Sequence, residues 1–278
     1  MILKCPVCQL GLKKIEKSYQ CSQHHNYDIS KYGYTNLLLA NQIHSDSPGD
    51  QAFMIQARNR FLSLDYYHFL RQEVADLFCQ FLPISTTLTF CDFACGEGYY
   101  TNYIHQILNQ KKETQTFGID LSKQAIIEAC KRKKRERIES IEYVIGNLMN
   151  LPFLNESFDC ALNCFAPMIE KEFYRVLKKD GIFIRVLPGK NHLFELKKII
   201  YEKVEFNELK ELNIEGFLLL KQKEMNQVIH LKSNQEIMDL FTMTPYYYKS
   251  PKEGHQKLKQ INNLCLTASF VILVYQKA

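Results

Sequence analysis

The sequence predicts an α/β fold in which a small cysteine-rich module precedes a doubly wound, largely parallel sheet. Apolar runs alternate with amphipathic segments from about residue 85 onward, the order expected of strands and the helices that cover them. A glycine-rich turn follows the first of these runs, and three cysteines lie within the first 25 residues. With 278 residues, the chain has room for one domain of about 200 residues and a small module.

The N-terminal module begins with a pattern typical of a zinc site. Cys5-Pro-Val-Cys8 forms a knuckle that points two thiolates at one ion, and Cys21 and His25 follow a short hairpin later. Four such ligands leave no open coordination position, so we expect a structural Zn²⁺. His24 is the alternative fourth ligand, because spacing alone does not separate two adjacent histidines.

The composition is that of an ordinary globular protein, with 46% hydrophobic and 23% charged residues. No apolar run approaches the ~20 residues that cross a bilayer, and MILKCPVC lacks the long apolar core of a signal peptide. We therefore expect a cytoplasmic protein without a membrane partner. Because that compartment keeps thiols reduced, the clustered cysteines favour metal binding over disulfides. A net charge of +5 permits a polyanionic partner without requiring one.

The segment that organises the larger domain is LTFCDFACGEGYYTNYI, residues 88–104. An apolar run ends at Asp92, a turn of small residues and glycines follows, and an amphipathic helical pattern begins near Tyr99. Glycines allow backbone to approach a ligand closely, and the free N–H groups of a helix start can meet polar ligand atoms. The pattern indicates a nucleotide-type binding site.

A second apolar run, QTFGID, supplies the other half of this site and ends at Asp120. An acidic residue about 20 positions after the glycines can accept both ribose hydroxyls of an adenosine, a group that NAD and S-adenosylmethionine (SAM) share. The turn, however, reads D-x-A-x-G-x-G and lacks the dinucleotide pattern G-x-G-x-x-G. Asp92 before the turn would repel a phosphate and attract the ammonium group of SAM. The pattern therefore favours SAM.

This segment resembles motif I of the class I SAM-dependent methyltransferases, with Ala94 where that family usually has glycine. The resemblance implies a Rossmann-like class I methyltransferase sheet. It also implies that the turn and the end of the second strand contact the cofactor, through Asp92, Ala94, Gly96, Glu97, Gly98, Tyr99, Asp120 and Leu121. Asn147 and Leu148, after the third strand run, occupy the place where class I methyltransferases usually hold the adenine ring.

The fourth strand run, FDCALNCFAP, ends beside the motif I turn in any doubly wound sheet. We expect the substrate base to meet the methyl group there. The candidate positioning residues are Asn163, Phe165, Ala166 and Pro167. Cys95 and Cys164 suggest covalent catalysis, but the Pro-Cys or Thr-Cys pair of such enzymes is absent at these positions, which favours a packing role.

A closer resemblance, to the ribosomal large-subunit RNA guanine-N1 methyltransferases with an N-terminal zinc site, is carried by CPVC, C-x3-H, KYGYTNLL, PGD, M-x2-AR-x2-FL and CGEGYYT. It implies methylation of N1 of a guanine in a 23S rRNA hairpin, cofactor contacts from Tyr67 and His192, and a homodimer. Without the resemblance, Tyr67 reads as a buried aromatic and His192 as a helix cap or surface residue. The chain departs from the family at three places: Asp65 and Tyr248 replace a usual glycine and tryptophan, and Asn147-Leu148 a usual serine and histidine.

We predict three parts: a zinc-binding RNA-recognition module (1–43), a linker and helical lead-in (44–84), and the methyltransferase domain (85–278). Within the module, three tyrosines either stack on RNA or fill a small core: Tyr27, Tyr32 and Tyr34.

EFYRVLKKDG predicts a helix that ends at Gly181, and two late strand runs flank a helix at residues 234–243. The basic run Lys131–Arg137 could bind RNA, but cations are also favoured at a helix C-terminus. We therefore prefer the interpretation of a solvated helix end.

Two rival functions remain open at this point. A small-molecule methyltransferase of the same fold would have no need of a zinc module. A catalytically silent RNA-binding protein would have no use for the turn and Asp120. Both features therefore favour an rRNA methyltransferase.

Overall fold

The computed structural model describes residues 1–39, 50–82, 87–209 and 212–278. The start of the predicted linker and lead-in (44–84) and both predicted domain boundaries lie outside these ranges. The strands of the described chain are β1 Lys13–Ile15, β2 Ser18–Gln20, β3 Asn26–Asp28, β4 Tyr34–Asn36, β5 Thr87–Phe93, β6 Glu113–Asp120, β7 Ile141–Ile145, β8 Phe158–Cys164, β9 Leu177–Pro188, β10 Phe217–Leu231 and β11 Leu264–Lys277. The first three form a small antiparallel sheet of their own.

The remaining described strands form one sheet in the order β10-β11-β9-β8-β5-β6-β7-β4. Pairing is parallel from β4 to β9, and β11 and β10 complete the sheet in antiparallel register. From β5 the chain continues to β6 on one side and later returns to β8 on the other. This reversal of strand order creates a switch point outside the carboxyl ends of β5 and β8, where open α/β sheets bind ligands. The predicted doubly wound α/β class is confirmed.

The helices of the described chain are α1 Ala52–Ser63, α2 His68–Phe81, α3 Tyr99–Lys111, α4 Lys123–Arg135, α5 Glu170–Val176, α6 Phe194–Ile200, α7 Asn234–Thr242, α8 Tyr246–Lys249 and α9 Lys252–Lys259. Successive strand residues point to opposite faces, so Phe90 and Cys91 belong to separate buried clusters, as do Val271 and Ile272. Both faces of the central strands are therefore covered, as parallel sheets require. None of the helices in these ranges is long and apolar enough to cross a membrane.

Two predicted elements differ from the structure. The helix predicted to end at Gly181 ends at Val176, because Leu177 is fully buried and pairs with Phe158 as the first residue of β9. The helical lead-in is interrupted at Asp65, whose φ of +60° ends α1 and redirects the chain into α2. The late strands and the helix between them are confirmed as β10, α7 and β11.

The N-terminal module is built into the main sheet. Strand β4 pairs in parallel with β7, and the backbone N–H of Lys4 donates to the Pro152 carbonyl at 2.9 Å. The Tyr19 hydroxyl donates to Glu142 on β7. Buried module residues share one apolar cluster with residues of β5, β6 and β8, including Leu3, Leu12, Leu37, Phe93, Phe117 and Phe158. The last strand of the predicted 1–43 module is thus the edge strand of the main sheet.

Candidate cofactor and metal sites

The motif I turn joins β5 to α3 and has left-handed residues at alternate positions. Ala94, Gly96 and Gly98 have φ values of +61°, +56° and +78°. Glycine is required at Gly98, since an added Cβ would lie 2.5 Å from the Tyr143 hydroxyl oxygen. Ala94 adopts the same region with a side chain, a conformation that costs an L-residue about 1–2 kcal/mol.

Asp120 at the end of β6 closes the other side of this turn. Its Oδ2 accepts the Gly96 N–H at 2.9 Å, and its Oδ1 accepts the Ser122 N–H at 2.8 Å. Burial raises the pKa of the carboxyl group, whereas these two N–H groups oppose the shift. The nearest atom to a Cβ built on Gly96 is Arg58 Nη1, at 3.8 Å, so the turn is open beside Asp120. This cradle fits the adenosine half of a cofactor.

Asp92 lies beneath the turn and not on its surface. The side chain is 2% exposed and accepts a hydrogen bond from Thr101 Oγ1 on α3 at 2.5 Å. Burial raises its pKa to about 7. In this arrangement Asp92 connects the end of β5 to the first turn of α3. It therefore acts on the cofactor site indirectly, by fixing the shape of the turn.

The other predicted motif I residues separate into two environments. Glu97 is buried, and its Oε2 has no hydrogen-bond partner among the described residues. Tyr99 instead packs towards α2, with its ring 4.6 Å from the Arg71 guanidinium and its hydroxyl 3.3 Å from Asp65. Leu121 lies half-buried in the turn between β6 and α4.

Asn147 and Leu148 follow β7 at the same edge of the sheet as Asp120. The Gly146 N–H donates to the Asp120 carbonyl at 3.1 Å and holds this loop against the end of β6. Asn147 Oδ1 accepts the Met149 N–H at 2.9 Å, and Leu148 packs against the buried cluster. These two residues can therefore line a cofactor that is held at Asp120.

An aromatic cluster surrounds the carboxyl end of β8. Phe270 on β11 is its centre, with ring centroids 5.0 Å from Tyr67, 4.8 Å from His192 and 5.5 Å from Phe165. Tyr67 is buried, and its hydroxyl has no partner in the described chain. Phe165 is 42% exposed and has a φ of +58°. Such strain in a bulky, exposed residue is typical of a functional position.

Asn163 and Pro167 bracket the exposed ring of Phe165. Asn163 Nδ2 donates to the Pro167 carbonyl at 3.4 Å, while its Oδ1 is buried without a partner in the described ranges. Ala166 lies between them and is half-buried. The end of β8 thus carries an unpaired buried acceptor two residues before an exposed aromatic ring.

His192 is neutral at physiological pH. Burial lowers its pKa to about 3, and the nearby Lys197 acts in the same direction. Its Nδ1 accepts the Ser269 N–H at 3.3 Å, so the ring proton lies on Nε2. The imidazole can therefore donate one hydrogen bond from Nε2 to a ligand and carries no charge.

The predicted metal ligands converge in the N-terminal module. One ligand atom from each of Cys5, Cys8, Cys21 and His25 lies within 4.8 Å of all the others. His25 Nδ1 is 3.6 Å from Cys5 Sγ and 3.4 Å from Cys21 Sγ. Thiolates around a tetrahedral zinc lie about 3.8 Å apart, so this donor set fits the ion. His24 is exposed and lies outside the group.

Tyr27 supports the metal ligands from behind. Its hydroxyl lies 3.2 Å from Cys5 Sγ and can donate to the thiolate. Tyr34 is buried as part of β4, whereas Tyr32 is exposed with Lys31 Nζ 5.3 Å from its ring. The choice between core packing and exposure is thus resolved differently for the three tyrosines.

Residues 131–137, the basic run, are divided between structure and solvent. Arg132 is buried and donates to Asn59 Oδ1 at 2.6 Å, and Lys133 Nζ donates to the Ile141 carbonyl at 2.7 Å. Lys131 is exposed and pairs with Glu128. Two of the cations thus join α4 to α1 and to β7.

Sequence reasoning missed two residues of the cofactor region. Arg58 on α1 reaches the motif I turn, and Phe270 on β11 centres the aromatic cluster. The helical periodicity of α1 gave no indication of which cation faces the turn. Phe270 belongs to an unbroken apolar run, where any residue is equally well explained as core.

Two family descriptions match different parts of the chain. "RlmA, N-terminal" matches residues 3–46, and "Methyltransferase domain" matches residues 91–185. The chain therefore combines a methyltransferase domain with an RlmA-type N-terminal zinc ribbon. The predicted enzyme class, its SAM-dependent fold and its structural zinc are confirmed. Zinc holds the ribbon together, and SAM is the methyl donor of this fold.

Relatives of this zinc-ribbon methyltransferase include a protein of Bacillus subtilis named "Putative 23S rRNA (guanine-N(1)-)-methyltransferase YxjB". It is 27% identical over 99% of this chain and 97% of its own. A 23S rRNA (guanine(748)-N(1))-methyltransferase of Streptomyces fradiae is 26% identical over 70% of this chain and 66% of its own. Among solved structures, the YcgJ protein of Bacillus subtilis matches 74% of this chain and 99% of its own with a TM-score of 0.51 and 17% identity. This last likeness shows the fold.

Proposed function

We propose that this zinc-ribbon methyltransferase transfers the methyl group of SAM to N1 of a guanine in a hairpin of 23S rRNA. The observation that carries the proposal is the incorporation of the zinc ribbon into the catalytic sheet through β4 and β7. A relative named for this reaction matches the chain over nearly its whole length, ribbon included. Both points support a nucleic-acid substrate over a small molecule.

The residues around the motif I turn divide the binding of the donor among them. When bound, SAM supplies an electrophilic methyl carbon on its sulfonium. Asp120 has lone pairs for the ribose hydroxyls beyond the two N–H bonds it already accepts. Asn147 and Leu148 line the adenine, and Tyr67 and His192 close the side that faces β8. Transfer of an activated methyl group requires mainly alignment and exclusion of water.

Phe165 and Asn163 provide the contacts that suit a guanine. The exposed Phe165 ring offers a stacking surface, a contact worth about 1–3 kcal/mol per base. The free Oδ1 of Asn163 can accept from an N–H of the guanine pairing edge. Because N1 is part of that edge, the base must be unpaired in a loop or flipped out of a stem.

The zinc ribbon supplies exposed lysines for contact with the RNA. Lys13, Lys14, Lys17, Lys31 and Tyr32 are exposed in and beside its small sheet. Lysines can contact phosphates, and an exposed tyrosine can stack on a loop base.

We also propose a cytoplasmic location, where this RNA is made, and a homodimer. Light scattering of the zinc-loaded protein tests the dimer, and a monomer at micromolar concentration would exclude it.

The test of the function is to incubate the zinc-loaded protein with labelled SAM, 23S rRNA that lacks its own modifications and a small-metabolite extract. The expected result is label in the RNA and a primer-extension stop at one hairpin guanine, because N1-methylguanine blocks base pairing. Label confined to small metabolites would support the small-molecule reading instead. A complete lack of transfer, with SAM still bound, would support a silent RNA-binding protein.

A further inference from the structure

Arg58 lies on α1 and reaches across the motif I turn. Its Nη1 is 3.8 Å from the Cβ position of Gly96 and 3.9 Å from Glu97 Oε2. Its Nη2 pairs with the carboxylate of Asp50, just before α1. Arg58 therefore places a cation at the same turn that forms the adenosine cradle. The Arg58 side chain is 25% exposed.

The two carboxylates beside Arg58 differ in their freedom. The Glu97 side chain is 3% exposed and faces the guanidinium at 3.9 Å without a hydrogen bond, so it balances the charge of Arg58. The Asp50 side chain is 40% exposed, so solvent or a ligand can replace it at low cost. Burial opposes the charge of Arg58, but Glu97 and Asp50 raise its pKa overall and keep it cationic.

We propose that Arg58 binds the carboxylate of the amino-acid half of the methyl donor and that this carboxylate displaces Asp50. The inference rests on the proposed function only in taking SAM as the donor. A guanidinium offers two parallel N–H donors that match a carboxylate, and a partly desolvated pair of this kind is strong. Gly96 leaves the approach to Arg58 open, because it has no side chain. Arg58 is thus a cofactor-positioning residue.

The test compares two ligands by calorimetry: S-adenosylhomocysteine and its decarboxylated analogue, which lacks only the carboxylate. The zinc-loaded wild type should prefer the intact ligand by about ten- to hundredfold. Arg58→Gln should bind both ligands with nearly equal affinity, while its affinity for the decarboxylated ligand stays within about twofold of wild type. Arg58→Lys should keep part of the preference, because it retains the positive charge but loses the two parallel N–H donors.

Arg60 gives a matched control on the same helix. It pairs with Asp239 on α7, away from the turn, so Arg60→Gln should leave the ligand preference unchanged. Asp50→Asn provides a second variant that keeps Arg58. It should raise the affinity for S-adenosylhomocysteine severalfold without changing that for the analogue, since the competing carboxylate is gone.

Equal losses for both ligands in Arg58→Gln, or a preference that persists in it, would overturn the inference. Thermal unfolding of each variant separates loss of fold from loss of recognition, and Asp50→Asn carries the test if Arg58→Gln does not fold. If the wild type methylates 23S rRNA but binds both ligands equally, this inference alone fails. If the wild type binds neither ligand, the donor in the proposed function fails as well.

Discussion

The backbone N–H of Gly96 donates to Asp120 Oδ2 across 2.9 Å and joins the turn after β5 to the end of β6. The carboxylate thus shapes the cradle and also faces into it. Asp120→Asn should weaken binding of S-adenosylhomocysteine by about hundredfold, because charge-assisted bonds to the ribose and the turn are lost. Calorimetric titration measures this, with the exposed Asp76→Asn as control. Unchanged affinity in Asp120→Asn would remove the residue from the site.

Phe165 should serve the RNA and not the donor. Phe165→Ala removes the exposed ring beside Phe270, so methyl transfer to 23S rRNA should fall by about ten- to hundredfold. Binding of S-adenosylhomocysteine should stay within about twofold of wild type. Single-turnover transfer assays and calorimetry separate the two effects. A parallel loss of donor affinity would assign Phe165 to the cofactor pocket instead.

Ala94 adopts a left-handed conformation that glycine tolerates without strain. Ala94→Gly should therefore raise the free energy of unfolding by about 1 kcal/mol. Ala75, which lies buried in α2, gives the control: Ala75→Gly should lower stability by about 1–2 kcal/mol through its helix propensity and the loss of a buried methyl group. Urea denaturation measures both. Destabilisation by Ala94→Gly would mean that the alanine methyl group makes a compensating contact.

Substitution of His25 should remove the zinc, whereas substitution of His24 should not. His25→Ala removes one of four converging ligands, so the purified protein should contain much less than one zinc per chain. His24→Ala changes an exposed side chain outside that group and should keep a full equivalent. Elemental analysis gives the metal content. A reversed result would make His24 the ligand.

His192 should make stability depend on acid pH. Its pKa is lowered by burial from 6.5 to about 3, so the neutral ring stabilises the fold above pH 6.5. That contribution is lost as the pH falls towards 3, at about 1.4 kcal/mol per pH unit. From pH 6.5 to 5, the wild type should lose about 2 kcal/mol more than His192→Gln. Urea titrations at each pH check this, with the exposed His68→Gln expected to follow the wild type.

Features set by local residue spacing could be predicted from the sequence. Features that depend on a partner distant in the chain could not. The β5 strand, the motif I turn and the metal ligands follow from local spacing. Leu177 was assigned to a helix because its pairing with Phe158 on β8 is a long-range contact. Arg58 belongs to the motif M-x2-AR-x2-FL, but its place at the cofactor turn was not predicted, because the residues that surround it, Glu97 and Asp50, belong to separate segments.

Asp65 illustrates how a departure from a family pattern can be stabilised. Its φ of +60° favours glycine, but its carboxylate pairs with Arg71 at 3.0 Å and accepts from the Tyr99 hydroxyl. An acidic residue is among the side chains that tolerate the left-handed region. The substitution was visible in the sequence, whereas its two partners became visible only in the fold.

The parallel pairing of β4 with β7 has a consequence for how the protein is made. Residues 34–36 leave the ribosome early, yet the strand they join, residues 141–145, is synthesised more than one hundred positions later. During that interval the metal is what holds the nascent ribbon, since its docking edge does not yet exist. Zinc supply during translation should therefore govern the yield of native enzyme, and zinc added after synthesis should rescue less of it.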